Sequence, residues 1–194
     1  SLLLNEIAIL ALFAVSLDLV LGYAGVVSLG HAAFFGIGAY GAALFAKEVM
    51  PDPLVGLAFA VVISALLGTA TSVLILRGTD LTRLMVTLGV ALVLGEIANR
   101  AAWLTGGADG LQGVTMRPLL GIFEFDMRGH VAYAYSLAVL LVLFLVARRI
   151  VNSPFGLSLR AIRDNPVRAA AIGIPVHRRL VVIYAIAAAY AGVA

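Results

Sequence analysis

The sequence predicts an all-α, polytopic bundle of membrane-spanning helices, with about five full spans, a truncated sixth and a short extra helix on one flank. Three observations carry this. Of 194 residues, 63% are hydrophobic and only 12% charged, against roughly 25% charged in soluble domains, and the mean hydropathy is +1.11. The apolar residues fall in runs close to the ~20 needed to cross a hydrocarbon core. The basic residues between those runs are distributed unevenly, as they are in membrane proteins that obey the positive-inside rule.

The runs cover roughly 2–22, 26–46, 54–76, 82–102, 131–148 and 180–194. In the first, Glu6 lies near one end and Asp18 about one turn from Gly22, so both carboxylates reach headgroup level. The second, GYAGVVSLGHAAFFGIGAYG, is dense in small residues. Its GIGAYG piece is not a nucleotide fingerprint, because no strand precedes it and it lies inside an apolar span. Two readings remain open there. In one, Ala32 with Gly36, and Ala33 with Gly41, let helix backbones pack closely. In the other, Gly25–Gly30 interrupts the helix beside a translocation path, with Ser28 and His31 lining it.

The loop around Met50-Pro51-Asp52-Pro53 and the turn at Arg77–Arg83 bound the third span. In the fourth, Glu96 and Arg100 are four apart with Asn99 beside them. An i,i+4 ion pair is the simplest account of Glu96, and a place for Glu96 and Asn99 beside the path is the alternative. The 103–130 connection is long for a compact bundle, and its glycines at 106, 107, 110 and 113 mark consecutive turns. The final run, from Leu180, is about 15 residues or roughly 22 Å of helix, shorter than a hydrocarbon core. Together with Ser rather than Met at position 1, this suggests a natural protein that continues in both directions.

The loop 148–179 holds seven of the thirteen basic residues: Arg148, Arg149, Arg160, Arg163, Arg168, Arg178 and Arg179, with Asp164 the sole acid. It also carries the signals of folded structure. Ser153-Pro154 and Asn165-Pro166 each pair an N-cap side chain with proline at the first helical position, and Gly173 with Pro175 stops the second short helix. Alternation of spans puts 77–83 and 148–179 on one side, with nine Arg against two Asp. The opposite side holds Lys47, Arg117 and Arg128 against Glu48, Asp52, Asp109, Glu124 and Asp126. The 148–179 loop is therefore expected to be cytoplasmic and Ser1 and the 103–130 loop extracytoplasmic.

No HExxH, paired His/Cys cluster or GxSxG is present, so no catalytic residue, metal site or cofactor is expected. The basic loop lacks interleaved aromatics, which argues against nucleic acid. With no cysteine there is no disulfide, and the chain reads as a single membrane domain over 1–194.

Three stretches in this order resemble one family: LGYAGVVSLGHAAFFGIGAYGAAL, then VTLGVALVLGEIANR with LTGGADGL, then SPFGLSLRAIRDNPVRAAAIGI. They are similar to the branched-chain amino acid (LIV) type permease subunits of bacterial ATP-binding-cassette importers. The resemblance implies an inner-membrane transport subunit that is not itself an enzyme. Its expected partners are ATP-binding-cassette ATPase subunits, a second homologous permease subunit, a periplasmic substrate-binding protein and membrane lipid. It makes 148–179 a coupling loop seated on the ATPase, with Arg160, Arg163, Asp164, Asn165, Arg168, Ala170 and Gly173 as coupling residues. Arg160 and Arg163 share a face suited to an acidic rim, while Val167, Ala170 and Ala171 form an apolar one. The loop departs from the family in carrying Arg168 where an acid is expected, and Asp18 replaces a more usual uncharged residue. No Walker A pattern occurs, so ATP hydrolysis is expected on another chain. The implied cargo is a branched-chain or related amino acid. A urea or amide permease is one alternative, and an ion-coupled secondary transporter or channel is another.

Overall fold

The computed structural model describes residues 2–76, 78, 80–107, 110, 111, 113, 114, 118 and 130–194. Arg77, Ala108 and Asp109, and the charges Arg117, Glu124, Asp126 and Arg128 assigned to the 103–130 loop, lie outside the described residues. Among the described residues the secondary structure is wholly helical. In chain order the helices are α1 Leu2–Leu17, α2 His31–Glu48, α3 Pro53–Ile75, α4 Asp80–Arg100, the single turn α5 Ala102–Thr105, α6 His130–Val151, α7 Pro154–Asp164, α8 Pro166–Ala171 and α9 Val176–Val193. α1 runs on into a π-helical turn, Asp18–Tyr23.

Among the described residues, five segments are long and apolar enough to cross a membrane: Leu3–Tyr23, Pro53–Ile75, Asp80–Arg100, His130–Val151 and Val176–Val193. The expected bundle is there, with several of its boundaries moved. The last helix is a full span because it restarts at Val176, directly after the Gly173/Pro175 stop, and takes Arg178 and Arg179 into its first turn. The expected start at Leu180 excluded those arginines as too polar. α4 ends at Arg100, not at 102, and α5 follows. The second span begins at His31 instead of 26, and α2 is 18 residues long. With His31, Lys47 and Glu48 at its ends, α2 is not among the strongly apolar spans, and its contacts with α3 and α9 relieve it of facing lipid all round.

The centre of the bundle is α9, which buries Ile183, Tyr184, Ala187, Ala188, Tyr190, Ala191 and Gly192. α3 presents to it a stripe of small buried residues spaced four apart: Gly56, Ala60, Ser64, Gly68 and Ser72. Four-residue spacing puts them on one face of the helix. A Cβ added at Gly68 would run into Ala188, and one at Gly192 into Ser64. α2 enters the same seam through Gly38, which is pressed against the Gly192 backbone. Close backbone approach of this kind supplies the van der Waals contact that holds helices together where lipid removes the hydrophobic drive. α1 packs on α6 and α9. α6 buries only Ala147 and Val151, and α4 only Thr87.

The two ends of the bundle sort as alternation requires. At one end the Tyr135 hydroxyl of α6 donates to the Pro53 carbonyl at the start of α3, 3.3 Å away. At the other, α7 packs against the π turn, the end of α6 and α9.

Candidate functional site

The 153–173 segment forms two short helices with the boundaries its sequence signals. Ser153 Oγ accepts from the Gly156 amide at 3.4 Å, and Asn165 Oδ1 accepts from the Arg168 amide at 2.9 Å. Gly173 ends the pair at φ +87°, and the Ile174 amide donates back to the Ala169 carbonyl at 3.1 Å. α7 buries Gly156, Leu159 and Ile162, and α8 buries Ala169. These anchors fix the hairpin to the bundle and leave α8 projecting. Val167 is 78% and Ile172 70% exposed, and Ala170, Ala171 and Arg168 are exposed beside them.

Arg160 and Arg163 do lie on one face of α7, and that face is turned toward the end of α1. The Arg160 guanidinium stands over the Tyr23 ring, 5.3 Å from its centroid. Arg163 Nη1 donates to the Gly22 carbonyl at 2.7 Å, while Nε and Nη2 both donate to Asp164 Oδ1, at 3.2 and 3.1 Å. Thus Arg160, Arg163 and Asp164 are engaged within the chain, whereas Arg168 and Ala170 are free to meet a partner.

Residues 24–30, between the π turn and α2, are not helical. The Gly25 amide reaches Leu21 and the Val26 amide reaches Val20, a closure that needs Gly25 at φ +68°, a conformation that costs L side chains. The chain then turns back into the bundle. The Leu29 amide donates to Thr87 Oγ1 of α4 at 3.1 Å, and Gly30 is pressed against the Thr87 carbonyl. Ser28 Oγ and the Tyr184 hydroxyl of α9 share a hydrogen bond of 3.2 Å. Non-helical backbone at membrane depth must be enclosed by protein in this way.

His31 opens α2 and is 1% exposed. Its Nε2 lies 3.1 Å from Ser16 Oγ. Because the Ser16 hydroxyl gives its proton to the Phe13 carbonyl at 2.6 Å, Nε2 must be the donor to Ser16. Phe13 and Phe34 flank the imidazole, with centroids 5.9 and 5.7 Å away, and Tyr184 meets Phe34 edge-on at 5.8 Å. Ser16 precedes Tyr23 by seven residues, so α2 begins roughly 10 Å inside the end of α1.

Glu96 and Asn99 are not part of this cluster. Glu96 Oε1 accepts from Arg100 Nε at 2.7 Å, and the two side chains are 58% and 82% exposed. They lie in the last turns of α4, so Glu96 is shallower than the 82–102 span implied. Nine residues separate Glu96 from Thr87, roughly 14 Å along the helix. Beyond them Thr105 Oγ1 donates to the Ala98 carbonyl at 2.6 Å, and glycines 106, 107, 110 and 113 all have positive φ, the turns expected of LTGGADGLQG. Sequence reading missed Thr87, Tyr184 and the Gly22 carbonyl. The first two are ordinary polar residues within apolar runs, and a carbonyl freed by a π turn leaves no compositional mark.

Among the described residues, a helical bundle with five segments long and apolar enough to cross a membrane, and a chain break packed among them, defines a polytopic membrane protein. Among the described residues no group of three His, Cys, Asp or Glu is placed to hold a metal. The chain belongs to the family of branched-chain amino acid transport system permease components, whose model matches residues 1–194. It is 26% identical over 212 residues to the high-affinity branched-chain amino acid transport system permease protein LivM of Escherichia coli (strain K12), covering 94% of this chain and 48% of that protein. It is 27% identical over 206 residues to LivM of Salmonella typhimurium, with the same coverage of 94% and 48%. The chain thus spans about half the length of the curated relatives it matches. No solved structure matches it.

Proposed function

We propose that this chain is a membrane-spanning permease subunit of an ATP-driven importer, carrying branched-chain or related amino acids delivered by a periplasmic binding protein. The observation that carries this reading is the α7–α8 hairpin: a rigidly capped, well-anchored projection whose tip exposes Val167, Ala170, Ala171 and Ile172. An apolar tip on a basic loop suits a shallow groove with an acidic rim, as an ATPase subunit would offer. The ATPase chain hydrolyses ATP, this chain does not, and a second homologous permease subunit completes the pair. With nine Arg on the hairpin side, that side is cytoplasmic and the membrane is the bacterial inner membrane. The exposed, ion-paired Glu96 weighs against an ion-coupled carrier, which needs carboxylates enclosed in the path.

The test is reconstitution with the ATPase and binding protein. Ala170→Arg keeps the positive charge but spoils the apolar tip. It should reach the membrane and lose substrate-stimulated ATP hydrolysis by at least tenfold. Normal transport by this variant would remove the coupling role from the loop. Uptake assays with leucine, isoleucine, valine and urea separate the amino-acid reading from the amide one.

A further inference from the structure

The coupling hairpin, the chain break and α4 are joined by one continuous set of contacts. Arg163 of α7 is the first link. Its Nη1 holds the Gly22 carbonyl at 2.7 Å, and a Cβ added at Gly25 would stand 2.7 Å from Arg163 Cγ, so stem and guanidinium both bear on the start of the broken segment. A π-helical turn places fewer carbonyls in ordinary i→i+4 bonds, and the Gly22 carbonyl is one that looks outward to a side chain. Six to eight residues after Gly22, the same segment grips Thr87 through Leu29 and Gly30 and Tyr184 through Ser28. Thr87 is the one residue of α4 that is buried, so this grip falls at the most enclosed point of that helix. Asp164 fixes the other edge of the guanidinium, which keeps the fork aimed at Gly22.

We propose that Arg163 is a positioning residue of the transport cycle: a strut that passes displacement of the α7–α8 hairpin to the Ala24–Gly30 segment, and through Thr87 to α4. This rests on the permease reading above. A sequence-based reading would give Arg163 to the ATPase surface, whereas its donors are taken up within the chain by Gly22 and Asp164. A rod of packed, hydrogen-bonded groups transmits movement because each group has a fixed partner on either side. Coupling through such a rod must be shown energetically and not assumed from proximity.

The experiment uses the assembled transporter with its ATPase chains and loaded binding protein. Arg163→Met keeps the stem against Gly25 and removes the donors to Gly22 and Asp164. Expected is full co-purification of the ATPase, basal ATP hydrolysis within twofold of native, and at least a tenfold loss of both binding-protein stimulation and uptake. Loss of the ATPase from the complex would make Arg163 a docking residue and overturn the proposal, as would native uptake. If Arg163→Met does not accumulate, Arg163→Leu, which likewise carries no donor, is judged by the same criteria. Thr87→Val keeps the shape of Thr87 and removes the acceptor for Leu29. Combined with the Arg163 variant, it should cost stimulation far less than the product of the two single losses, because both cut one linkage. Multiplicative losses would overturn the linkage. Failure of the native chain to bind any ATPase would sink the permease reading itself, a result distinct from all of these.

Discussion

His31 illustrates how much a single residue owes to its enclosure. The ring sits between Phe13 and Phe34 and donates a hydrogen bond from Nε2 to Ser16 Oγ, all inside protein. A glutamine can keep a donor near Ser16 and much of the volume, so His31→Gln should assemble normally and retain uptake within about twofold. His31→Ala leaves a void between two aromatic rings and should cost about 2–4 kcal/mol, on the scale of other large-to-small core changes. Thermal unfolding of the detergent-solubilised protein measures the second effect and radiolabelled uptake the first. A folded His31→Gln protein without uptake would put the ring on the substrate path after all.

At the scale of elements, the glycines of α2 divide by face. Gly38 is pressed on Gly192, and a Cβ at Gly41 would stand 3.3 Å from Ile63 Cγ2, whereas one at Gly36 would meet nothing within 4 Å. Gly36 instead lines an open groove of about 290 Å³ between α2 and α4, with Ala32, Ala33, Gly95 and Ala98. Close packing was expected at Gly36, and the structure transfers it to Gly38. Composition locates a small-residue helix, but which small residues touch depends on where the helix begins and what it faces. Starting at His31 turns Gly38 and Gly41 toward α3 and α9. Gly38→Leu should therefore abolish accumulation in the membrane through overpacking, while Gly36→Leu should accumulate at native levels. Equal yields of the two variants would refute this assignment of faces. The hairpin teaches the opposite lesson. Ser153-Pro154, Asn165-Pro166 and Gly173 marked its helices without ambiguity, because caps and stops are local chemistry that needs no knowledge of neighbours.

For the whole molecule, sequence was a good guide to number, class and alternation of spans, since hydropathy responds to the membrane and not to tertiary detail. It was a poor guide to what lies inside. The α3 stripe of Gly56, Ala60, Ser64, Gly68 and Ser72 is plain along the sequence once its partner is known, yet such spacing has no meaning until α9 supplies the facing surface. Ser28 and His31 do converge on one cluster, but the residues they meet, Tyr184 and Ser16, come from other helices. Glu96 and Asn99 belong elsewhere on the molecule. Orientation is the prediction proper to this scale. The chain has no cysteine, so single thiols are free of background. Val167→Cys, at the exposed tip of α8, should resist an impermeant maleimide in intact cells, and Ala108→Cys in the opposite loop should react. The reverse pattern would invert the topology.

The enclosed break at residues 24–30 also has a consequence in time. Its partners are not made when it is. Thr87 follows Leu29 by 58 residues, and Tyr184 follows Ser28 by 156. At about 5–20 residues per second, the last of them leaves the ribosome roughly 8–30 s after the segment that depends on it. During that interval the Leu29 amide lacks Thr87, and for longer the Ser28 hydroxyl lacks Tyr184, and lipid offers them nothing. The nascent first hairpin must therefore wait in a wetter setting, beside the insertion machinery or at the headgroup boundary, until α9 arrives to close the bundle around it. Settling of the second span is thus tied to α9, and a ribosome that stalls before that helix leaves behind a chain whose second span lacks the surface it packs on.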